Sequence, residues 1–569
     1  MSSVPKTLVI GLGGIAWSDL IARVGKGQAP AIAAVLRRGA GLRLIDDVPG
    51  NRAAAWATLS TGVLAHQHGI VGLDEAWAGG LRPTGRTAWR HAPVWQRLSD
   101  ARARTLSVAW PFTRAGAAWA GVHVDDRLAQ ATGRSWQDWV LPADVAPPSW
   151  REAVGEVRVH PSDVDAAALA PLVPGLETVD QRSDRRLIDL AIMIARVSTN
   201  HAAAQALLIE APWDTAFVFH SWMAAVLGRF ADAPPPYDGV VDAAWTLIDT
   251  MVAITLSAVP RDTVVVLASL GFRGEAGFLA IAGPGVKPGV RSDVAHAVDL
   301  VPSLLARYGL GDPVLGGRVL LGDPAGVRPA APARDLGEEP PIDRAALARV
   351  EGFGHRAPAP PTGWQAHRLV RLAALTMPHD AAAGADFAAA AIAVGGEEPV
   401  AIGMMAAAAA AAGRADDLPP LAERIAAAAP GHVWEALIRG GYHALRGEAA
   451  SARPYLLRVE AEGAAAERIR AGAAWLMLER PADAARAFAL VTAAEPDRVD
   501  ALIGLGMAHA ALKPAEAEPA LRRALAIDPA SAAARDLLVD VLRRLGRTRE
   551  ADQVTAGGAL YRRSAGSEA

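Results

Sequence analysis

The sequence predicts an α/β domain with a doubly wound, mostly parallel sheet, followed by an all-α domain of helical repeats. Two observations carry this. Up to about residue 325, short β-branched apolar runs alternate with helical patterns, as βαβ units require. Beyond about residue 366 the chain is rich in Ala, Leu, Arg and Glu, and its landmarks recur every 33 residues or so. The expected division is 1–325 for the α/β domain, 326–365 for a Pro-rich linker, 366–555 for the repeats and 556–569 for a tail.

The strand candidates of the first region are, in order, Thr7–Gly11, Gly41–Ile45, Thr105–Ala109, Gly121–Val124, Thr215–His220, Thr263–Ala268 and Phe278–Ala282. Several are continuous and β-branched, which suits a parallel sheet covered on both faces. From Gly322 to about Pro361 the character changes, with Pro-Ala-Ala-Pro, Glu-Glu-Pro-Pro and Ala-Pro-Ala-Pro-Pro runs that read as a linker or wrapping segment. In the second region Pro496 and Pro529 lie 33 residues apart, and Pro430 lies twice that before Pro496. Gly440, Gly472 and Gly506 are followed by Ala452, Ala484 and Ala517, and each Ala by a large residue four later: Leu456, Phe488 and Leu521. Small residues let paired helices approach and the large one fills the groove, the pattern of tetratricopeptide repeats. Three clear units are expected between about 433 and 552, with a less regular pair upstream; a generic Ala-rich bundle is the alternative.

Composition bounds the rest. At 569 residues, 51% hydrophobic and 21% charged, the chain has enough apolar material for two cores. A net charge of −3 offers no global attraction to nucleic acid or to anionic membranes. Cysteine is absent, which removes disulfides, thiolate metal sites and Cys nucleophiles together. The N-terminus enters the first strand without an apolar leader, and the Ala-rich stretch 400–412 is too short to cross a bilayer. A cytoplasmic protein without nucleic-acid or membrane partners is the expectation.

The order of motifs in the first region resembles the type I phosphodiesterase/nucleotide pyrophosphatase branch of the alkaline phosphatase superfamily. Leu8-Val9-Ile10-Gly11-Leu12-Gly13-Gly14 is similar to its first strand, and Ala54-Ala55-Trp56-Ala57-Thr58-Leu59-Ser60-Thr61-Gly62 with His66-Gln67-His68-Gly69-Ile70 to its next conserved segment. Pro93-Val94-Trp95, Trp110-Pro111-Phe112-Thr113, Gly283-Pro284-Gly285-Val286-Lys287, Asp299-Leu300-Val301-Pro302-Ser303 and Gly317-Arg318 follow in the family's order. Gly11-x-Gly13-Gly14 lacks the third spaced glycine of a dinucleotide loop, so that reading is rejected.

The resemblance implies two divalent metals, such as zinc or manganese, held by carboxylates and imidazoles around a hydroxyl nucleophile. At the implied positions this chain carries other residues. Gly13 stands where the first carboxylate is expected and Arg52 where the nucleophile is. Trp222 and Val226 stand at an Asp-x-x-x-His pair, Ser269 and Leu270 at the Asp-His of an Asp-His-Gly, and Arg273 at the last His. No catalytic residue and no metal is therefore expected. Asp46, Asp47, His66, His68, Asp125, Asp126 and His220 are the nearby groups that a rebuilt metal site would draw on, and hydrogen-bonded caps are their ordinary alternative. Arg52 and Arg273 admit two readings: a metal-free anion site, or guanidiniums paired with acids such as Asp46 or Asp47 that fill the old pocket.

Three functions follow from different classes. The first is a catalytically degenerate phosphodiesterase-like pseudoenzyme that scaffolds a protein or peptide partner on its repeats. The second is a sensor of a small anionic ligand. The third is an active metal-dependent phosphodiesterase with non-standard ligands.

Overall fold

The computed structural model describes residues 4–46, 51–72, 74–77, 80–83, 89–113, 119–125, 128–129, 145–272, 275–286, 288–321, 328–329, 364–377, 381–395, 399–528 and 531–562. The chain divides into two compact units, Met1–Ala359 and Pro360–Ala569. Apart from Arg328–Pro329 and the start of the helix Trp364–Thr376, the expected Pro-rich linker lies outside the described residues.

In the first unit nine strands form one sheet among the described residues. In chain order they are β1 (Thr7–Leu12), β2 (Gly39–Ile45), β5 (Thr105–Val108), β6 (Gly121–Val124), β7 (Val145–Ala146), β8 (Thr215–His220), β9 (Val264–Ser269), β10 (Gly277–Ala282) and β11 (Gly289–His296). A separate hairpin pairs β3 (Asp74–Trp77) with β4 (Gly80–Pro83), and a short ladder pairs β12 (Leu310–Gly311) with β13 (Arg328–Pro329). The sheet order is β11-β2-β10-β9-β1-β8-β5-β6-β7. β1 pairs in parallel with both β8 and β9, and β8 with β5. Only β10 and β7 run antiparallel to their neighbours. All seven expected strands are present. β11 escaped sequence reading because its apolar positions are interrupted by Arg291, Ser292 and Asp293, where its register on β2 shifts.

β1 is buried throughout, so each face of the sheet has its own core. On one face Leu8, Ile10 and Leu12 join Ala216 and Val218, and the helices Arg186–Glu210 and Val240–Ser257 cover them with Trp213, Trp222, Tyr237 and Trp245. On the other face Phe219 and Phe217 meet an edge-to-face aromatic cluster: Trp56 lies 4.7 Å from Phe219, and Trp110 5.6 Å from Trp56 and from Phe217. This cluster requires glycine at position 11, since a Cβ there would sit 2.7 Å from Phe219 and 3.1 Å from Trp56 and Trp110. Trp110 also donates its indole N–H to Ser60 Oγ at 2.9 Å, tying the helix Arg52–Thr61 to the strand region. By length and composition the helix Val240–Ser257 is apolar enough to cross a bilayer, but Val240, Ala244, Trp245, Ile248 and Val252 are fully inside this core.

Asp249 on that helix is a residue sequence reading missed. It is buried and accepts from Ala31 N and Ile32 N at 3.0 Å each, capping the helix Pro30–Arg38 across more than 200 residues of chain.

The second unit is a series of antiparallel helix pairs of tetratricopeptide type. Val433–Leu445 pairs with Ala449–Glu462, Ala465–Met477 with Pro481–Ala494, Val499–Leu512 with Pro514–Ile527, and Ala532–Arg544 with Thr548–Arg562. That is one pair more than the three expected between 433 and 552, because the last pair lacks the spaced glycine of the others. Upstream lie Trp364–Thr376 with Ala381–Gly395, and Pro399–Ala411 with Leu418–Ala428. The spaced glycines work as inferred: a Cβ would strike Leu456 at Gly440, Phe488 at Gly472 and Leu521 at Gly506, each within 2.7 Å. Phe488 is wedged between two helices, since Gly504 of the next pair also faces its ring. Glu460, buried, accepts from Trp475 Nε1 at 2.7 Å and from Arg486, joining successive pairs by a polar contact inside the stack.

Phe488→Ala empties a groove closed on both sides by glycine, so it has little chance to collapse. The expected cost is about 3–5 kcal/mol, read as a drop in the denaturation midpoint of the helical unit. An unchanged midpoint would mean that Phe488 is not the wedge between these pairs.

Candidate functional site

In an open α/β sheet the binding crevice lies beyond the carboxyl ends of the central strands, where the chain leaves in different directions. Here those ends belong to β1, β8 and β9, joined by the N-terminus of the helix Arg52–Thr61. The residues singled out from the sequence fall on these elements, but they do not form one cluster.

Gly13 follows β1 and donates its N–H to His220 O at 2.9 Å. A Cβ at this position would lie 3.4–3.5 Å from Phe219, His220 and Ser221, an ordinary contact. A carboxylate is therefore not barred from position 13 by its Cβ; the chain simply lacks one.

Ser269 ends β9, and its hydroxyl turns inward to the β1 loop. It accepts from Ile15 N at 3.0 Å and donates to Ile15 O at 2.8 Å. Ser269 and Ile15 are both buried. Trp17 N donates to Ala276 O at 2.9 Å, and Ser18 Oγ bonds Glu275, so the two loops are sewn together by direct hydrogen bonds. Leu270 is buried with the apolar residues, and Gly271 turns with φ +71° where its Cβ would meet the Glu275 carbonyl.

Arg52 opens its helix after Asn51, whose side chain caps Ala54 N at 3.1 Å and donates to Val71 O. A cation at a helix N-terminus opposes the helix dipole. The guanidinium reaches out of that field, donates Nη1 to Gly271 O at 2.5 Å and lies 5.3 Å from the centre of the Phe272 ring. Burial lowers its pKa and the nearby Asp46 carboxylate raises it, the burial effect being the larger. Arg273, Asp47 and Asp126 lie outside the described residues.

Trp222 and Val226 sit on the helix Trp222–Phe230 and point into the core. Trp222 Nε1 donates to Ala244 O at 3.0 Å, and Val226 is fully buried. Neither faces Gly13, Arg52 or Ser269 across the crevice; they are packing residues on the other side of the sheet.

The remaining candidates are mostly occupied by structural bonds. His68 accepts from Ile70 N at Nδ1 and pairs with Thr58 Oγ1 through Nε2, both at 3.1 Å, which assigns the proton to Nε2. Its complete burial pushes its pKa down to about 3. His123, a histidine sequence reading passed over, is held by two hydroxyls, Thr105 Oγ1 at Nε2 and Ser107 Oγ at Nδ1, and is also lowered to about 3 by burial. His220 is likewise buried and lowered to about 3, with His201 adding a smaller effect. Among the described residues no group of three or more His, Asp or Glu converges to hold a metal ion.

A two-metal centre does not fit this donor set. Its implied positions present a glycine, two arginines, a hydroxyl spent on backbone and three apolar side chains, none of which supplies an imidazole or carboxylate.

Residues 7–273 match the model of the type I phosphodiesterase / nucleotide pyrophosphatase family. The N-terminal unit is phosphodiesterase-like, and the C-terminal unit is tetratricopeptide-like. Among solved structures the chain is similar to MamA, residues 41 to the end, from Desulfovibrio magneticus RS-1, at 15% identity over 36% of this chain and 98% of that one, with a TM-score of 0.24. It is also similar to murine ectonucleotide pyrophosphatase / phosphodiesterase 5, at 15% identity over 46% of this chain and 56% of that one, with a TM-score of 0.28. Among curated proteins none matches.

Two predictions follow from this geometry. Ser269→Ala leaves the Ile15 N–H and C=O buried without their partner, and costs about 2–3 kcal/mol of stability; a change below about 0.5 kcal/mol in denaturant titrations would mean the loops do not depend on that hydroxyl. His68, His123 and His220 have folded pKa values near 3, against 6.5 for the free side chain. The unfolded chain therefore binds more protons between those limits. Their contribution is fully present above pH 6.5 and is lost as pH falls towards 3, each by up to about 1.4 kcal/mol per pH unit. Ring NMR should find all three neutral at pH 5; an imidazole already charged there contradicts its burial.

Proposed function

We propose that this protein is a catalytically degenerate phosphodiesterase-like pseudoenzyme whose helical repeats hold a protein or peptide partner. The observation that carries the reading is the state of the strand ends. Where the resemblance implies two metals to bind the β1 and β9 loops to each other, the Ser269 hydroxyl and the Arg52–Gly271 bond join those regions through protein atoms alone. An Arg side chain at the nucleophile position is protonated at all working pH values and cannot attack phosphorus.

The stacked helix pairs supply what the site lacks. Repeats of this type present an extended surface built from successive first helices, independent of any catalytic group. Met477 and Met507, on the first helices of two successive pairs, are about half exposed, and Met side chains adapt to varied apolar partners. Nothing in the charge balance calls for nucleic acid or membrane as the partner, and a cytoplasmic location fits the absence of cysteine.

Arg52 as one arm of an anion site is the less supported reading, because one of its N–H groups is already engaged by Gly271 and Asp46 lies in its field. The active-hydrolase reading, with zinc or manganese, would need donors that the described residues do not bring together.

The test is metal content by mass spectrometry on full-length protein grown with added zinc and manganese, paired with bis-(p-nitrophenyl) phosphate hydrolysis. The expected outcome is less than one tightly bound ion per ten chains and hydrolysis at the background rate, roughly no rate enhancement against the 10⁶-fold or more of an enzyme. Gly13→Asp is expected to leave both unchanged, since one carboxylate makes no site. One or two retained ions with turnover would overturn the proposal.

A further inference from the structure

The helices Arg186–Glu210 and Val240–Ser257 cover one face of the sheet, and the outer side of their C-terminal halves is free of charge. Between Arg196 and Glu210 the first helix has no Asp, Glu, Lys or Arg, and burial lowers the pKa of its one titratable group, His201. Between Asp242 and Arg261 the second carries a single charged residue, Asp249, which is buried and turned inward onto Ala31 N and Ile32 N. Gln205 Nε2 donates to Thr255 Oγ1 at 2.9 Å, so the two halves lie side by side.

Isoleucines stand out of this uncharged ground. Ile209 is 69% exposed and Ile254 45%. Ala202 and Ala206 precede Ile209 on its helix, and Ala253 and Ser257 flank Ile254 on the other. A face left to water ordinarily mixes charges of both signs, whereas a contiguous apolar face marks a contact with another molecule.

Shape and charge together select a second copy of the same chain. Each face carries both raised and low ground: Ile209 and Ile254 project, while the small side chains beside them leave grooves. A copy turned about a two-fold axis sets the isoleucines of one face against the small residues of the other. Charges near such an axis meet their own kind, and this face has none to repel. A partner with a charged face would bury those charges here without counter-ions. Only at the ends of the two helices does charge return, as Glu210 and Arg261, of opposite sign.

The area fits a dimer of modest strength. A helix of 18 residues is about 27 Å long, and two helices side by side are about 20 Å wide. That gives about 500 Å² on each copy and about 1,000 Å² for the pair, the lower limit for a specific interface.

We propose that the C-terminal halves of Arg186–Glu210 and Val240–Ser257 form a weak two-fold interface with a second copy of this chain, built around Ile209 and Ile254. The interface lies within the phosphodiesterase-like unit and stands whether or not the pseudoenzyme reading does.

The experiment is sedimentation of the full-length protein from about 1 to 200 μM, with an expected rise from the mass of one chain to that of two and a Kd in the tens of micromolar. Ile254→Lys and Ala253→Arg, both at exposed positions, should keep Tm within about 1 °C and raise Kd at least tenfold. Because the chain has no cysteine, Ile254→Cys gives a single thiol, which a short bis-maleimide should link into dimers. Val314→Cys, exposed on a loop away from these helices, should be linked far less. One chain's mass at every concentration, a dimer that survives Ile254→Lys, or equal linking of the two cysteine variants would each overturn the proposal. So would a monomer that floats with neutral phosphatidylcholine vesicles, since the face would then be a lipid contact.

Discussion

One hydroxyl group holds the carboxyl edge of the sheet together. Ser269 Oγ satisfies both the N–H and the C=O of Ile15, and so fixes the β1 loop against the end of β9. Everything near the crevice is placed relative to that join: Gly13 just upstream, Trp17 bonded to Ala276, and Gly271 turned so that its carbonyl meets Arg52. Such a join does with two short bonds what a bridging metal does through several ligands.

The two faces of the sheet are packed differently. The face with Trp56, Trp110, Phe217 and Phe219 is an interlocked aromatic layer, packed so closely that Gly11 admits no side chain. It anchors the helix that presents Arg52, and so ties the crevice to the closest packing of the unit. The opposite face is aliphatic and Trp-rich, and within it His220 and Asn200 are polar groups left open.

The helical unit follows a different logic. Each pair buries one small-to-large contact, Gly440 on Leu456, Gly472 on Phe488 and Gly506 on Leu521, so stability accumulates pair by pair and needs no contact distant in sequence. A domain built in this way offers its outward first helices freely to a partner, and that is the property the proposed scaffold role uses.

How much of this was readable in advance depends on how local each signal was. The seven strands, the fold class and the glycine–large-residue period were legible because periodicity and steric need are written in neighbouring residues. The irregular strand β11, the fourth helix pair and the cap that Asp249 places on a helix more than 200 residues away were not, since each rests on register or contacts that no window along the chain contains. At the crevice, the sequence by itself determined which side chains stand at the positions the family resemblance marks, and so which chemistry they lack. Only the tertiary structure decided where those side chains point: Trp222 and Val226 into the core, Ser269 onto Ile15, Arg52 onto Gly271. The physical reason is that a residue's chemistry is a property of its own atoms, whereas its partners are chosen by the strands and helices that folding brings beside it.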